Sequence, residues 1–454
     1  MKDFVRTHGP FDVVHFQNLE GIPIGLVSKE IFGAARLIHS AHNYYSVCPQ
    51  VNLWRYETAN CKDYNGGQSC TYCLPVFVSL KRNMLQAQMH EFLSRIGVNK
   101  RSKQFNILLG KMGKTRTVFH LFNRLKYRLY LRKSNNPIWC LIYGKRGNAR
   151  LPFLAVRRSK ISETFAQNSV TTIAVSERTR DVITKFGFSE NDLVTAYIGT
   201  EHADRFASTM KLSAPRNPIR FTIAYLGYMR RDKGFYFFVE CLERIPRALA
   251  ASIDVVIAAK NAWDGSLDRL MGLNTKFRSV TYYDGFTSKE LDFILRDTDL
   301  GIIPSLWEDN LPQVAIEIVS RGIPVLTSDL GGPQEIGRSP DFVFKSNDHV
   351  DFLRTFRKIA TGEVALSRFW GSAPRLQSMS DHSTELLRIY RTLAPSGPSV
   401  PGGVVDYSAT AVEDTLVEAP TDEQRGEQVA RFALKVSGKA DTIGRPVATQ
   451  RVNE

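Results

Sequence analysis

Residues 304–335 read Pro304-Ser-Leu-Trp-Glu-Asp-Asn-Leu-Pro-Gln-Val-Ala-Ile-Glu-Ile-Val-Ser-Arg-Gly-Ile-Pro-Val-Leu-Thr-Ser-Asp-Leu-Gly-Gly-Pro-Gln-Glu335. The apolar run Leu300 to Pro304 predicts a buried strand that ends at the proline, and a polar turn follows. Pro312 sits near the start of a predicted helix over Gln313 to Arg321, and Gly322 closes it. Backbone N–H groups at such a helix start face the crevice beyond the strand's carboxyl end, where an open α/β sheet takes a phosphorylated ligand. Two acids frame this turn: Asp309 precedes the helix and Glu317 lies within it. The first can reach a sugar hydroxyl at the helix mouth and the second a ribose.

Outward from this stretch, short β-branched runs alternate with helical patterns, as in parallel βαβ units. Strands are predicted at Phe11 to Phe16, Ala35 to Ser40, Val170 to Ser176, Leu193 to Ile198, Phe221 to Leu226, Ile253 to Ala258, Ser279 to Tyr283 and Pro324 to Thr327. A helix from Ser176 to Gly187 opens on a serine cap and stops at glycine. The alternation breaks at 207–218, which places an inter-domain linker there. The expected organisation is therefore an acceptor-side domain over 1–206 with a basic helical insert at 74–160, a second domain over 219–380, a closing helix at 381–395 and a disordered tail over 396–454. Within that tail, residues 431–436 are the one stretch with a weak pattern of structure.

The charge is uneven in this 454-residue chain of net +15. Residues 81–160 hold 20 Lys and Arg against the single acid Glu91, a net of +19, which leaves −4 for everything else. In KRNMLQAQMHEFLSRIG and TRTVFHLFNRLKYRLYLRK, aromatic and aliphatic residues alternate with Arg and Lys at roughly helical spacing. Such helices suit an anionic membrane surface. A solvated basic face is the competing reading, and no recognition motif favours nucleic acid. The start, MKDFVRTHGPFDVV, lacks an apolar core of the signal-peptide kind, and no run reaches the ~18 apolar residues of a membrane span. The expected location is cytoplasmic and peripheral to the membrane.

Four of six cysteines, Cys48, Cys61, Cys70 and Cys73, fall close together. Four thiolates can form a closed tetrahedral zinc site that pins a long loop. Reduced thiols or an opportunistic disulfide are equally consistent with the irregular spacing.

Taken together, the Pro-Ser-x-Trp turn, the acid and Glu317 separated by seven residues, and the Pro324-Val-Leu-Thr-Ser-Asp-Leu-Gly-Gly332 segment resemble the group 1 retaining glycosyltransferases (family 4). Tyr225-Leu-Gly-Tyr-Met-Arg-Arg-Asp-Lys-Gly234 is similar to that family's strand, Gly-Arg turn and Lys-Gly helix start, with Tyr228 where the arginine usually stands. The ends of two strands, Asp12-Val-Val-His-Phe-Gln-Asn18 and His39-Ser-Ala-His-Asn-Tyr-Tyr-Ser-Val-Cys-Pro49, resemble further family motifs. The resemblance spans about residues 8–395. It implies the GT-B fold, an α/β architecture of two Rossmann-like domains facing a cleft. Relatives carry several βα units before the Asp-Val-Val-His strand, so the first domain is expected to be incomplete.

The resemblance also implies transfer of a sugar, with retention, from a nucleotide-diphosphate sugar to a glycan or lipid-linked glycan of the cell surface. Lys233 with Arg230 or Arg231 would hold the diphosphate, together with Gly227, Asn310, Leu311 and Pro312. Glu317 would hold the ribose and Asp309 the sugar, with Glu308 as an out-of-register alternative, and His42 would approach from the other domain. No metal is required for that chemistry, because fixed cations neutralise the leaving group. A non-catalytic or split fragment acting at a membrane surface is the alternative from another class.

Overall fold

The structure, a computed structural model, describes residues 2–55, 59–67, 70, 151–203, 220–392 and 433–436. The linker at 207–218, Cys73, most of the basic insert and the tail apart from 433–436 lie outside the described residues. The chain divides into two compact units: Met1–Val175 with Thr179–Thr195, and Ser176–Arg178 with Ala196–Glu454. Both units are α/β with parallel sheets.

The first unit holds strands β1 (Val13–Phe16) and β2 (Arg36–Ala41), a small antiparallel pair β3 (Trp54–Arg55) and β4 (Ala59–Asn60), then β5 (Thr171–Ala174) and β6 (Leu193–Thr195). The main sheet runs β1-β2-β5-β6, all parallel. Its central strands β2 and β5 are buried almost throughout, as strands covered on both sides must be, and carry the polar His39, Ser40, Thr171 and Thr172 as well as apolar residues. The helix Leu151–Gln167 carries Arg157 and Arg158, which belong to the basic segment assigned to a membrane surface. Both are instead buried. Arg157 donates to the Tyr45 carbonyl at 2.5 Å, and Arg158 donates twice to the Val47 carbonyl at 3.0 and 2.7 Å. A buried guanidinium must find acceptors, and these two find them on the loop after β2.

The second unit holds β7 (Phe221–Tyr228), β8 (Ile253–Lys260), β9 (Ser279–Tyr283), β10 (Leu300–Ile303), β11 (Val325–Ser328), β12 (Val343–Phe344) and β13 (Ala433–Val436). The sheet order is β12-β11-β10-β7-β8-β9-β13. All neighbours are parallel except β13, which pairs antiparallel with β9 at the edge. Counted from β7, the six parallel strands fall in the order 3-2-1 and then 4-5-6, with the reversal between β7 and β10. On one face, the helices Phe235–Arg244 and His349–Ala360 bury a cluster of aromatic rings. Phe237 stacks on Phe344 at 5.9 Å, Phe352 stacks on Phe356 at 5.7 Å, and Phe344 meets Phe352 edge-on at 5.0 Å. The second helix starts cleanly because the Asp348 side chain accepts from the amides of Val350 and Asp351.

Among the described residues, no helix is long and apolar enough to cross a membrane. His39, buried on β2 with its ring edge-on to Phe165 at 5.3 Å, is held neutral. Burial, with the neighbouring His15 and His42 in lesser parts, pulls its pKa down to about 3. The unfolded chain binds a proton there near the ordinary value of about 6.5. His39 thus favours folding fully above that pH, and stability is expected to fall by about 1.4 kcal/mol per pH unit below it, until the folded side chain protonates. Thermal unfolding followed from pH 7 to 4 should show this slope, and His39→Leu should flatten it.

Candidate functional site

The site is built where the strand order of the second unit reverses. In an open α/β sheet the loops leaving two strands at such a point diverge to opposite faces, and a crevice opens between them. Here those loops are Met229–Gly234 after β7 and Pro304–Pro312 after β10. They are in direct contact: the Leu306 amide donates to the Asp232 carbonyl at 2.9 Å. Gly234 has φ +71, and a Cβ on it would lie 1.6 Å from the Pro304 carbonyl oxygen, so no side chain fits there. Tyr225, fully buried on β7, donates its hydroxyl to the Tyr228 carbonyl at 2.8 Å and fixes the first loop from beneath. Burial, followed by the nearby Asp232, pushes its phenol pKa well up, so it remains a donor.

The two loops deliver opposite charges to one point. Lys233 Nζ meets Asp309 Oδ2 at 2.7 Å and lies 4.9 Å from the centre of the Trp307 ring. The Asp309 side chain is only 7% exposed, and that of Lys233 29%. Sequence reading gave these two residues separate tasks, the diphosphate and the sugar; the structure brings them together. Arg230 is engaged elsewhere, in a two-point pair with Asp232 at 3.0 and 2.8 Å, while Arg231 is exposed. Gly227 pairs with Ala259, one residue before the β7 pairing ends at Tyr228 opposite Lys260.

The acidic loop is held from three sides. Gly331 has φ +73, and a Cβ on it would sit 2.1 Å from the Asp309 carbonyl oxygen, while the Gly332 amide donates to that same oxygen at 2.7 Å. Asn310 and Leu311 are buried, and the Asn310 carbonyl accepts from Ser176 Oγ at 2.7 Å. Glu308, one residue before Asp309, accepts from Arg178 Nε at 2.9 Å and Nη2 at 2.6 Å and from the Gly331 amide at 3.1 Å. It is thus committed to structure. Pro312 begins the helix Gln313–Val319 in extended conformation, and Glu317 projects from that helix half-buried. Burial raises the Glu317 pKa, Arg321 opposes the rise and Glu201 adds to it.

Residues 220–361 match the family described as glycosyl transferases group 1. The group 1 match runs from the residue before β7 to just past the helix His349–Ala360, and so takes in both loops and both acids. No curated protein matches the chain. Among solved structures, the chain is similar to Anabaena HepE in complex with UDP and glucose, with 11% identity, a TM-score of 0.41, and 52% of this chain and 67% of that one covered. It is similar to the lipopolysaccharide outer core galactosyltransferase WaaB, with 15% identity, a TM-score of 0.41 and coverage of 62% and 82%. Sucrose-phosphate synthase from Thermosynechococcus elongatus shows 17% identity, a TM-score of 0.37 and coverage of 49% and 58%.

In the first unit, His42 follows β2 and is exposed. It joins a relay in which Gln17 provides the polarity: the Gln17 amide nitrogen donates to His15 Nδ1 at 3.2 Å and its oxygen accepts from His42 Nε2 at 2.9 Å. His15 Nε2 then carries the hydrogen given to Ser40 Oγ at 2.8 Å, a tautomer assigned from the network. Asn43, also in the motif, closes a turn by accepting from the Tyr45 amide at 2.9 Å. Cys48 and Cys70 are free thiols and Cys61 contacts the Asp63 carbonyl through its sulfur at 3.5 Å, with Cys73 outside the described residues. Burial raises the pKa of Cys48 and pushes that of Cys70 to about 11, which favours thiol over thiolate. Among the described residues, no three His, Cys, Asp or Glu side chains come together as a metal-holding group.

Sequence reading missed Arg178, Ser176 and Glu335. Ser176, expected as the cap of the helix Glu177–Lys185, donates its hydroxyl hydrogen to the Asn310 carbonyl, and the Glu335 carboxylate accepts from the amides of Glu177 and Arg178 at 3.1 and 2.6 Å. Glu335 also accepts from the Tyr197 hydroxyl at 2.6 Å, and burial together with that bond pushes the Tyr197 pKa up to about 12. Partners 130 residues or more apart leave no local signal.

Two outcomes are expected. Gly331→Ala should displace Asp309 and cost at least about 3 kcal/mol, measured by denaturant unfolding. Glu317→Gln should raise the melting temperature at neutral pH, because the raised pKa means that its ionised form is disfavoured in the folded chain. The gain should vanish below the ordinary carboxylate range, where wild type is protonated both folded and unfolded.

Proposed function

We propose that the chain is a nucleotide-sugar-dependent glycosyltransferase that moves a hexose-type sugar, with retention of configuration, to a hydroxyl of a glycan or lipid-linked glycan in cell-surface polysaccharide synthesis. The observation that carries this reading is the Lys233–Asp309 pair at the reversal of strand order, inside the span of the group 1 match. A nucleotide-diphosphate donor needs fixed positive charge where its β-phosphate gains charge as the glycosidic bond breaks. Lys233 supplies it in this reading, exchanging part of its bond to Asp309 for phosphate oxygens. Asp309 then turns to the hydroxyls of the sugar. Glu317, kept half-buried at a cost in its ionised form, accepts from the ribose hydroxyls.

The remaining assignments are proposed on chemistry alone. Asn310, Leu311 and Pro312 line the donor with backbone, Gly227 allows its close approach, and Arg231 is better placed than the engaged Arg230 to add a second cation. In this scheme protein cations neutralise the diphosphate. The basic segment before Arg157 is the proposed membrane-facing element and a structural zinc at the cysteines a proposed stabiliser, both resting on composition and spacing.

Calorimetric titration with UDP-, GDP- and ADP-sugars should find one donor that binds wild type. Lys233→Ala and Glu317→Ala should each weaken it by roughly 10- to 100-fold, the loss of a charge-assisted hydrogen bond. Unaltered affinity in both variants would sink the assignment.

A further inference from the structure

Arg178 is a cation beside the acidic loop that the proposed donor scheme leaves unused. Residues Ser176–Arg178 belong by their contacts to the second unit. The Arg178 guanidinium makes a fork on Glu308, with Nε at 2.9 Å and Nη2 at 2.6 Å. The Glu308 side chain is 11% exposed, and its remaining bond is to the Gly331 amide. Two carboxylates therefore follow one another in the chain, Glu308 and Asp309, both buried, each matched to a separate cation. The cations are not equivalent: Lys233 is flexible and partly exposed, while Arg178 is clamped at both ends of its fork.

We infer that Arg178 is a positioning residue for the donor site, which acts by neutralising Glu308 so that Lys233 is left to Asp309 and to a diphosphate. The inference rests on the reading of the site as a diphosphate site. Without Arg178, a buried carboxylate stands uncompensated beside the Asp309 carboxylate. Breaking a buried pair by removing one partner is costly because of the charge left behind. The nearest relief is attraction of Lys233 toward two carboxylates at once, together with repulsion of any arriving phosphate. Arg178 touches no substrate in this scheme. Its effect passes through Glu308 and the loop that Glu308 shares with Asp309, and Ser176 fixes the next residue of that loop through the Asn310 carbonyl.

The mechanism is electrostatic, so it makes a prediction that a purely structural role does not. The full-length chain is titrated by calorimetry with inorganic pyrophosphate, which probes the charge of the site without base or sugar. Arg178→Met should weaken binding about tenfold, ~1.4 kcal/mol. Arg178→Met combined with Glu308→Gln should restore it to within about threefold, because the stranded charge is gone. Arg178→Lys should bind more tightly than Arg178→Met, since it keeps the charge, and fall short of wild type because it loses the fork. If the methionine variant fails to fold, Arg178→Gln takes its place with the same expectation. Equal binding by Arg178→Met and wild type would overturn the inference, as would a double variant as weak as the single one. Failure of wild type to bind pyrophosphate or any nucleoside diphosphate would overturn the donor-site reading as well, and so separates the two.

Discussion

The reversal of strand order between β7 and β10 is the constraint on which the second unit turns. Once β10 pairs with β7 on the side opposite β8, the connections leaving the two strands go to different faces, and their loops must part at the carboxyl edge. What keeps the resulting crevice from being an open gap is contact at the base of the loops. Gly234 lies against the Pro304 carbonyl and Leu306 bonds to Asp232, so the loops touch first and diverge afterwards. The ion pair of Lys233 with Asp309 sits on this junction.

Buried charge around the junction is handled pair by pair. Asp309 faces Lys233, Glu308 faces Arg178, Asp232 faces Arg230, and the Glu335 carboxylate is spent on two helix amides and a phenol. Isolated buried carboxylates would be expensive, whereas carboxylates with two or three donors hold a loop in a single geometry. Glu317 is the acid left at a disadvantage, since burial outweighs the help of Arg321. An ionisable group held against its own solvation marks a place where a ligand is expected to complete the bonding.

The same economy revises one part of the sequence reading and extends another. The basic segment is not uniformly a surface: its last arginines turn inward to hold the loop after β2, because long side chains with five donors can satisfy several carbonyls from one position. Ser176, read as a helix cap, gives its hydrogen to the Asn310 carbonyl, and the Glu335 carboxylate adds two acceptor contacts at the amides of Glu177 and Arg178.

Periodicity and punctuation were enough to find the nine core strands, the proline start of the helix Gln313–Val319 and the glycines that close the crevice, because these depend on residues within one or two turns of each other. The positions of Asp309 before the helix and Glu317 within it were likewise legible. The short strands β12 and β13 were not predicted as strands, being two and four residues long and recognisable only by their partners. Pairing was beyond reach too. That Lys233 meets Asp309 is decided by strand order, and that Arg178 pairs with Glu308 and Glu335 bonds the amides of residues 177 and 178 is decided by tertiary contact, between residues 76 to 158 positions apart. The sequence alone determined which chemical groups stand at each strand end; only the tertiary structure decided which of them share a point in space, because electrostatic pairing depends on distance and burial, and neither is written in local spacing.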